Sequence, residues 1–337
     1  MPVWSEQERM VADSAAAFFE EAGGVARVRG LKNADGDGGI LRAAARQGWI
    51  GLLVPEALGG LGMEMREAVA LMRTAGKFLP PEPFASAIAC AQALAWLPDR
   101  KKLLDEVLAG SKIALTAPVE TQADGRLVSR PMAGLDAADV LFAVDLAGRW
   151  ALMERGDTRM SVESWPTRDG GSMARAVFQE AALGPASHRF RADLADTAIL
   201  LQAAELVGIG SEAFERTIAY LETRNQFGAP LSSFQALQQR AATLYVRLAA
   251  ADALVLEATR AFGGQDQSFA VRGAFARAGS AAEAACKEAI QMHGAIGFTD
   301  EHEIGLFLHR TLSIRAARRP ETAMMPAMQM APEDALI

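Results

Sequence analysis

The sequence predicts a mostly α protein with a small central β domain, and three observations support this fold class. Helical apolar spacing fills residues 1–111, where Ser5 and Glu8 have the spacing of a capping box. Short apolar runs separated by polar, glycine-bearing turns occupy 112–188, as in a region of short antiparallel strands. Apolar spacing of three and four residues then returns over 189–337. We therefore predict an N-terminal helical domain, a reduced β domain and a C-terminal four-helix bundle with these boundaries.

The individual elements follow from the same patterns, in chain order. After the first helix, a second contains Leu41 and Trp49 and ends in an apolar run and a glycine-rich loop. Further N-terminal helices are predicted at 64–78, 84–96 and 99–109. Strands are predicted around Ile113, at 140–144, at 150–153 and at 176–178. The bundle helices are predicted at 191–224, 232–262, 267–294 and 301–318, and the short loops between the first three favour antiparallel packing.

Composition excludes several classes of protein. A net charge of -7 and a pI of about 5.3 argue against nucleic acid as a partner. Two cysteines, Cys90 and Cys286, do not make a secreted disulfide framework or a metal cluster. The N-terminus lacks the basic flank and apolar stretch of a signal peptide, and no run of 18 apolar residues predicts a membrane span. We expect a cytoplasmic protein.

Two metal-binding patterns were tested against the sequence. Residues 33–38 resemble the start of a calcium loop, but Ala44 stands where the bidentate glutamate is required. A di-iron site in the bundle needs Glu-x-x-His pairs, and none of the four histidines follows a glutamate at that spacing. We interpret 33–38 as a polar loop and predict no metal site.

Two segments of the C-terminal region carry the functional information. The first reads Tyr220-Leu-Glu-Thr-Arg-Asn-Gln-Phe-Gly-Ala-Pro-Leu-Ser-Ser-Phe-Gln235, and the second is Gln291-Met-His-Gly-Ala-Ile-Gly-Phe-Thr-Asp-Glu301. Separated by 55 residues, they resemble the two flavin-contacting signatures of the acyl-CoA dehydrogenase family; the glycine-rich loop at 47–62 is also similar. The resemblance implies FAD as cofactor, an acyl-CoA substrate, α,β-dehydrogenation, a role in fatty acid and lipid metabolism, and a dimer or tetramer.

The resemblance also assigns residues to the cofactor, which in this family lies at a subunit interface. Arg224 would pair with the flavin pyrophosphate of a neighbouring subunit, because a planar guanidinium matches phosphate oxygens. Phe227 and Gln235 would support the same cofactor. The residues expected near the adenosine end are Gln291, Met292, His293, Gly294 and Ala295, although the family has a second glycine at the last position. Without a cofactor, Arg224 would be a solvated arginine at a helix end and Gly294 a helix stop.

The family's catalytic base is not found at its usual place. That glutamate falls at Arg318 or Arg319, and Glu321 is two to three residues out of register. On a helix this offset turns a side chain away from the pocket, so Glu321 is either a base placed by a loop or a surface glutamate.

Other family members carry the base on the first helix of the bundle. The corresponding positions are Ala198 and Ile199, which are not carboxylates. Asp196 and Glu205 lie nearby, and we interpret both as solvated helix residues.

The β domain also departs from the family pattern. Thr116 and Pro118 are retained, but the Gly-Ser-Asp that touches the flavin ring and substrate is absent. The sequence thus resembles the shorter, base-lacking chain of two-plus-two heterotetramers, which lends residues to a partner's flavin. Two alternatives are a self-sufficient homotetramer with a relocated base, and a non-catalytic scaffold for oligomerisation or acyl-CoA binding.

Overall fold

The chain folds as the predicted mostly α protein with a central β region. The computed structural model describes residues 4–31, 38–178, 183–187 and 189–323, and the side chains of all of these except Arg191 and 318–323. Within these ranges the α-helices are α1 Glu6–Glu21, α2 Gly24–Gly30, α3 Gly39–Arg46, α4 Met65–Phe78, α5 Phe84–Ala95, α6 Lys101–Leu108, α7 Leu194–Thr223, α8 Gln235–Arg260, α9 Gln267–His293 and α10 Ile304–Ala323. The strands are β1 Ala114–Thr121, β2 Leu127–Ser129, β3 Met132–Ala133, β4 Val140–Val144, β5 Trp150–Glu154, β6 Met160–Pro166, β7 Ser172–Phe178, β8 Asn225–Gln226 and β9 Ala229–Pro230.

The first helix begins at the predicted capping box. The Ser5 hydroxyl accepts from the Glu8 amide at 3.1 Å, and the Glu8 carboxylate accepts from the Ser5 amide at 2.6 Å. This satisfies two backbone donors at the helix start that have no partner within the helix. Phe19 on the buried face of α1 contacts Trp49, Phe78 and Phe84, so one aromatic cluster joins α1 to α4 and α5.

The main sheet follows the order β3-β7-β2-β1-β4-β5, with β6 beside β7. Most pairs are antiparallel as predicted, but β1 and β4 are parallel, with Ala114 opposite Val140. The prediction of a purely antiparallel region is therefore wrong for this pair. The chain leaves β1, passes through β2 and β3 on the other side, and returns, which is the crossover a parallel pair requires.

In the C-terminal region, α7 packs against α8, α9 and α10 and also against α4. Helices α4 and α7 cross at two glycines, since a Cβ added at Gly208 would lie 2.0 Å from the Arg73 carbonyl oxygen. One added at Gly76 would lie 2.2 Å from the Glu205 carbonyl oxygen. Gly76 and Gly208 therefore allow the two helix backbones to pack closely. By length and composition α7 could cross a membrane, but 83% of its most apolar window is buried, as in a core helix.

Candidate functional site

The two signature segments meet at one end of the bundle. Helices α7, α8 and α9 run up, down and up, so the end of α7, the start of α8 and the end of α9 lie together. Tyr220 and His293 make the connection, with ring centroids 4.3 Å apart and planes inclined by 22°. The Tyr220 hydroxyl also donates to the His293 carbonyl oxygen at 3.3 Å. Residues 73 positions apart are thus in direct contact.

The first segment presents three side chains to solvent. The Arg224 amide donates to the Tyr220 carbonyl oxygen at 2.9 Å, and β8 and β9 then form a small hairpin. Phe227 at its tip has φ +55° and is 89% exposed. Arg224 and Gln235 are exposed, and neither side chain has a hydrogen-bond or ion-pair partner among the described residues. A guanidinium, an amide and an aromatic ring are therefore available to a ligand at this end.

The second segment supplies a glycine turn. Helix α9 ends at His293, and Gly294 has φ +70° and ψ -143°, a backbone conformation essentially confined to glycine. A Cβ added at Gly294 would meet nothing within 4 Å, so its backbone faces open space. Gln291 and Ala295 are exposed, whereas the side chains of Met292 and His293 are buried in the bundle. Met292 and His293 can therefore offer a surface ligand only their backbone.

Two further residues, Tyr220 and His302, contact His293 at the glycine turn and were not predicted from the sequence. Tyr220 is the first residue of the first motif, but no role was predicted for it, and none was predicted for His302. The His302 ring lies 4.7 Å from that of His293, and the His293 Nδ1 lies 2.7 Å from the Ala289 carbonyl oxygen. Burial lowers the pKa of both His293 and His302, so both rings favour the neutral form.

The part of the junction between the β region and the bundle that contains Thr116 and Pro118 has little open space. Thr116 is buried and faces the core, with its hydroxyl 3.0 Å from that of Ser86. Pro118 lines a cavity of about 40 Å³ together with Gln202 and Glu205. Such a cavity holds only a few water molecules, so the three fused rings of a flavin do not fit there. An open cleft of about 660 Å³ between β6–β7 and α10 includes neither Thr116 nor Pro118.

A buried network of ion pairs and hydrogen bonds connects α10 to α7 and to the β region at this junction. The Arg310 guanidinium donates to the Glu205 carboxylate at 2.6 and 2.8 Å, and to Asp169 and the Pro81 carbonyl oxygen at 3.3 Å. The side chains of Arg310 and Glu205 are 4% and 3% exposed. Burial raises the pKa of Glu205, and the Arg310 charge opposes that shift. The interpretation of Glu205 as a solvated residue is therefore wrong, because α7 is covered on several sides.

Asp196 is also buried, which corrects the second solvated-helix interpretation. Its carboxylate accepts from the Ser268 hydroxyl at 2.5 Å and from the Gln267 side-chain amide at 3.0 Å. These contacts fix the start of α9 to α7. Asp196 is thus a structural residue at the end of the bundle opposite the glycine turn.

The family has two alternative positions for its catalytic base, and the described side chains provide no carboxylate at either position. Ala198 and Ile199 are buried and apolar. Glu321 lies in the helical part of α10 rather than in a loop, and its side chain is outside the described residues. The polar loop predicted at 33–38 lies outside them too, except for its last residue, and the described residues contain no group of three potential metal ligands.

Comparisons of the sequence with known families give matches over both helical regions. Residues 196–318 match the acyl-CoA dehydrogenase C-terminal domain, and residues 5–98 match the acyl-CoA dehydrogenase N-terminal domain. Acyl-CoA dehydrogenase IpdE2 of Mycolicibacterium smegmatis is 32% identical over 313 residues, covering 91% of this chain and 92% of that protein. IpdE2 of Mycobacterium tuberculosis is 31% identical over 314 residues, covering 90% and 91%.

Solved structures share the fold. The ChsE4-ChsE5 complex from Mycobacterium tuberculosis matches with a TM-score of 0.85 at 21% identity, covering 96% of this chain and 97% of that chain. A variant of the Tcur3481-Tcur3483 steroid ACAD matches with a TM-score of 0.82 at 23% identity, covering 95% and 97%. At these identities the likeness concerns the fold alone.

Proposed function

Because this chain belongs to the acyl-CoA dehydrogenase family of oxidoreductases, we propose that it is a subunit of an FAD-dependent acyl-CoA dehydrogenase that lends cofactor-binding residues to a partner chain. One observation supports the proposal: the two groups of residues that the family resemblance assigns to the flavin differ in exposure. The bundle end offers Arg224 and Gln235 to solvent without partners among the described residues. By contrast, Thr116 is buried and Pro118 lines a cavity of about 40 Å³, so the retained residues of the family's flavin-ring stretch leave little room for a ring.

The residues at the bundle end suit the nucleotide part of FAD. The Arg224 guanidinium can bind the pyrophosphate through two parallel hydrogen bonds. Gly294 allows the backbone of the glycine turn to approach the adenosine closely, as does the small side chain of Ala295. Gln235 supplies an amide, and Phe227 supplies an exposed apolar ring. Arg224, Phe227, Gln235 and Ala295 are exposed at the same end of the bundle, so a cofactor bound there would be accessible to a second chain.

The chemistry would take place on the partner. A bound flavin supplies the hydride acceptor for the β-hydrogen of an acyl-CoA thioester, while a carboxylate removes the α-proton. The family places that carboxylate at one of two positions, and this chain has no carboxylate at either. The corresponding residues are Arg318 or Arg319 at the first position and Ala198 or Ile199 at the second. The base would therefore belong to the partner, and this chain would complete the cofactor site.

The surface of α8 supports association with another chain. Ala242, Val246, Ala249 and Ala253 repeat at intervals of four, three and four residues and are exposed in the isolated chain. This spacing gives one apolar stripe along a helix whose opposite face is buried. The stripe lies on the helix that begins at Gln235, so a partner bound along α8 would be near the proposed cofactor-binding end. The solved ChsE4-ChsE5 assembly, a complex of two named components, provides a precedent in this fold.

A self-sufficient enzyme with a relocated base is the second candidate. Glu205 lines the closed cavity and lies seven residues after Ala198, hence on the same face of α7. However, two hydrogen bonds from Arg310 hold it, which favours a structural role. Glu321 remains the other candidate base, and Glu321→Gln should leave the activity of the complex unchanged if the partner supplies the base.

The test begins with the FAD content of the chain purified alone, measured by visible absorbance. We expect a ratio near zero in a folded protein, and recovery of a flavin-bearing acyl-CoA dehydrogenase-like chain when the tagged protein is isolated from its source cells. Stoichiometric FAD together with acyl-CoA turnover by the single chain would contradict the proposal. Both cysteines are buried and free, which supports the proposed cytoplasmic location.

The role of Arg224 is tested in the recovered complex. Arg224→Ala should lower the flavin content, while Arg260→Ala serves as a control on an exposed arginine at the far end of α8. Equal flavin contents in the two variants would favour the non-catalytic scaffold, because a scaffold does not need Arg224.

A further inference from the structure

We infer that Tyr220 and His302 are positioning residues for the cofactor. Together with His293 they form a ring stack that fixes the glycine turn relative to Arg224, and protonation of this ring stack weakens flavin binding. The inference rests on the proposed function, because the turn and the arginine matter only if they hold a flavin. It adds a pH-sensitive control of the same site.

Tyr220 connects the two halves of the bundle end. Its carbonyl oxygen accepts from the Arg224 amide at 2.9 Å, so Tyr220 lies one helical turn before the arginine. Its hydroxyl donates to the carbonyl oxygen of His293, the residue directly before Gly294. Its ring packs on the His293 ring at 4.3 Å. One residue therefore sets both the end of α7 and the start of the glycine turn.

His302 closes the other side of the ring stack. Its Nδ1 accepts from the Ile304 amide at 3.2 Å at the start of α10, which leaves the proton of the neutral ring on Nε2. His293 uses Nδ1 to donate to the Ala289 carbonyl oxygen, so its Nε2 carries the acceptor lone pair. A second proton on either ring would place a positive charge against the other imidazole, whose centroid is 4.7 Å away.

The charges around the ring stack also favour its neutral form. Arg216 and Arg29 both face His302 and lower its pKa, whereas Glu303 raises it. Glu303 is already paired with Arg216 at 2.9 Å, and Arg29 donates to the Glu301 carbonyl oxygen at 3.2 Å. Burial is the largest cause of the lowered pKa at both histidines. Acid would therefore introduce charge at the point where the glycine turn is anchored.

The experiment measures flavin affinity of the recovered complex at pH 8 and pH 6. We expect the wild type to bind flavin more weakly at pH 6, and His302→Gln to reduce that difference. Tyr220→Leu should weaken binding about tenfold at pH 8, the size expected for losing one ring contact and one hydrogen bond. Tyr220→Phe, which keeps the ring, should recover part of the affinity. Phe269→Leu, at an exposed aromatic at the other end of α9, is the control.

A second readout does not depend on flavin. The sequence contains four histidines and two tyrosines, so the histidine NMR signals of this chain, isotopically labelled within an unlabelled partner, can be assigned by substitution. Tyr220→Leu should shift the His293 signal and its titration, because the stacked ring is lost. Unchanged His293 signals, or a His302→Gln variant with the wild-type pH profile, would overturn the inference.

Arg224→Ala separates this inference from the proposed function. If Arg224→Ala lowers flavin affinity and Tyr220→Leu does not, the ring stack has no positioning role while the shared site stands. If Arg224→Ala has no effect, the shared site itself is wrong.

Discussion

Substitution of Arg310 by methionine tests the buried network that closes the junction between the β region and the bundle. Arg310 is 4% exposed and forms ion pairs with Glu205 and Asp169, which are each 3% exposed. Removing one partner of a buried ion pair costs about 3–5 kcal/mol, because the remaining charge is left without compensation. At about 2.1 cal/mol/K per residue, 337 residues have an unfolding entropy of about 0.7 kcal/mol/K. The midpoint of thermal unfolding should therefore fall by about 4–7 °C.

Circular dichroism at 222 nm during heating measures this change. The matched control is Arg260→Met, which removes an exposed arginine paired with Glu257 on helix α8 and should change stability by no more than about 0.5 kcal/mol. The double variant Arg310→Met/Glu205→Leu should recover part of the loss, since an apolar pair replaces an uncompensated carboxylate. Equal melting temperatures for the two single variants would refute the view that Arg310 holds the junction together.

Three further outcomes are expected. Gly208→Ala should cost about 1–3 kcal/mol in urea unfolding, because its Cβ would overlap a carbonyl of α4, whereas Gly305→Ala, with nothing within 4 Å, should be neutral or stabilising. Ser5→Ala should cost about 1 kcal/mol by the same measurement, since it removes the cap of α1. Stability should fall as the pH drops below 6.5, because burial lowers the pKa of His293 and His302 and the unfolded chain binds their protons more readily. Urea midpoints at pH 7.5 and 5.5 check this, and a flat profile would contradict it.

Much of the fold could be predicted from the sequence because its helices are long and strongly periodic. The helix predicted at 232–262 is observed at Gln235–Arg260. The helix predicted at 267–294 is observed at Gln267–His293. Strand pairing was less accessible, since an apolar run indicates a strand without identifying its neighbour. The parallel contact between β1 and β4 therefore appeared only in the structure. The last helix begins at Ile304 and continues past the predicted end, through Pro320.

The candidate site was predictable to the extent that it depends on local motifs. The segments that contain Arg224 and Gly294 were found as patterns, and the up-down-up bundle then brought them together. The burial of Asp196 and Glu205 was missed because each was considered alone. A usable signal existed, since they are the two ionisable side chains between residues 196 and 210, in a helix that is both long and apolar. Charged residues there need buried partners, and Arg310 lies 105 residues away from Glu205.

The close crossing of α4 and α7 has a consequence for synthesis of the chain. Gly76 packs against the backbone of Glu205, which lies 129 positions later in the chain. At about 5–20 residues per second, a ribosome needs roughly 6–26 s to make the intervening chain. During that interval the face of α4 that later meets α7 has no partner. The N-terminal helices therefore leave the ribosome with this apolar surface exposed to solvent until α7 has been made. We expect a chaperone to bind this part of the nascent chain first.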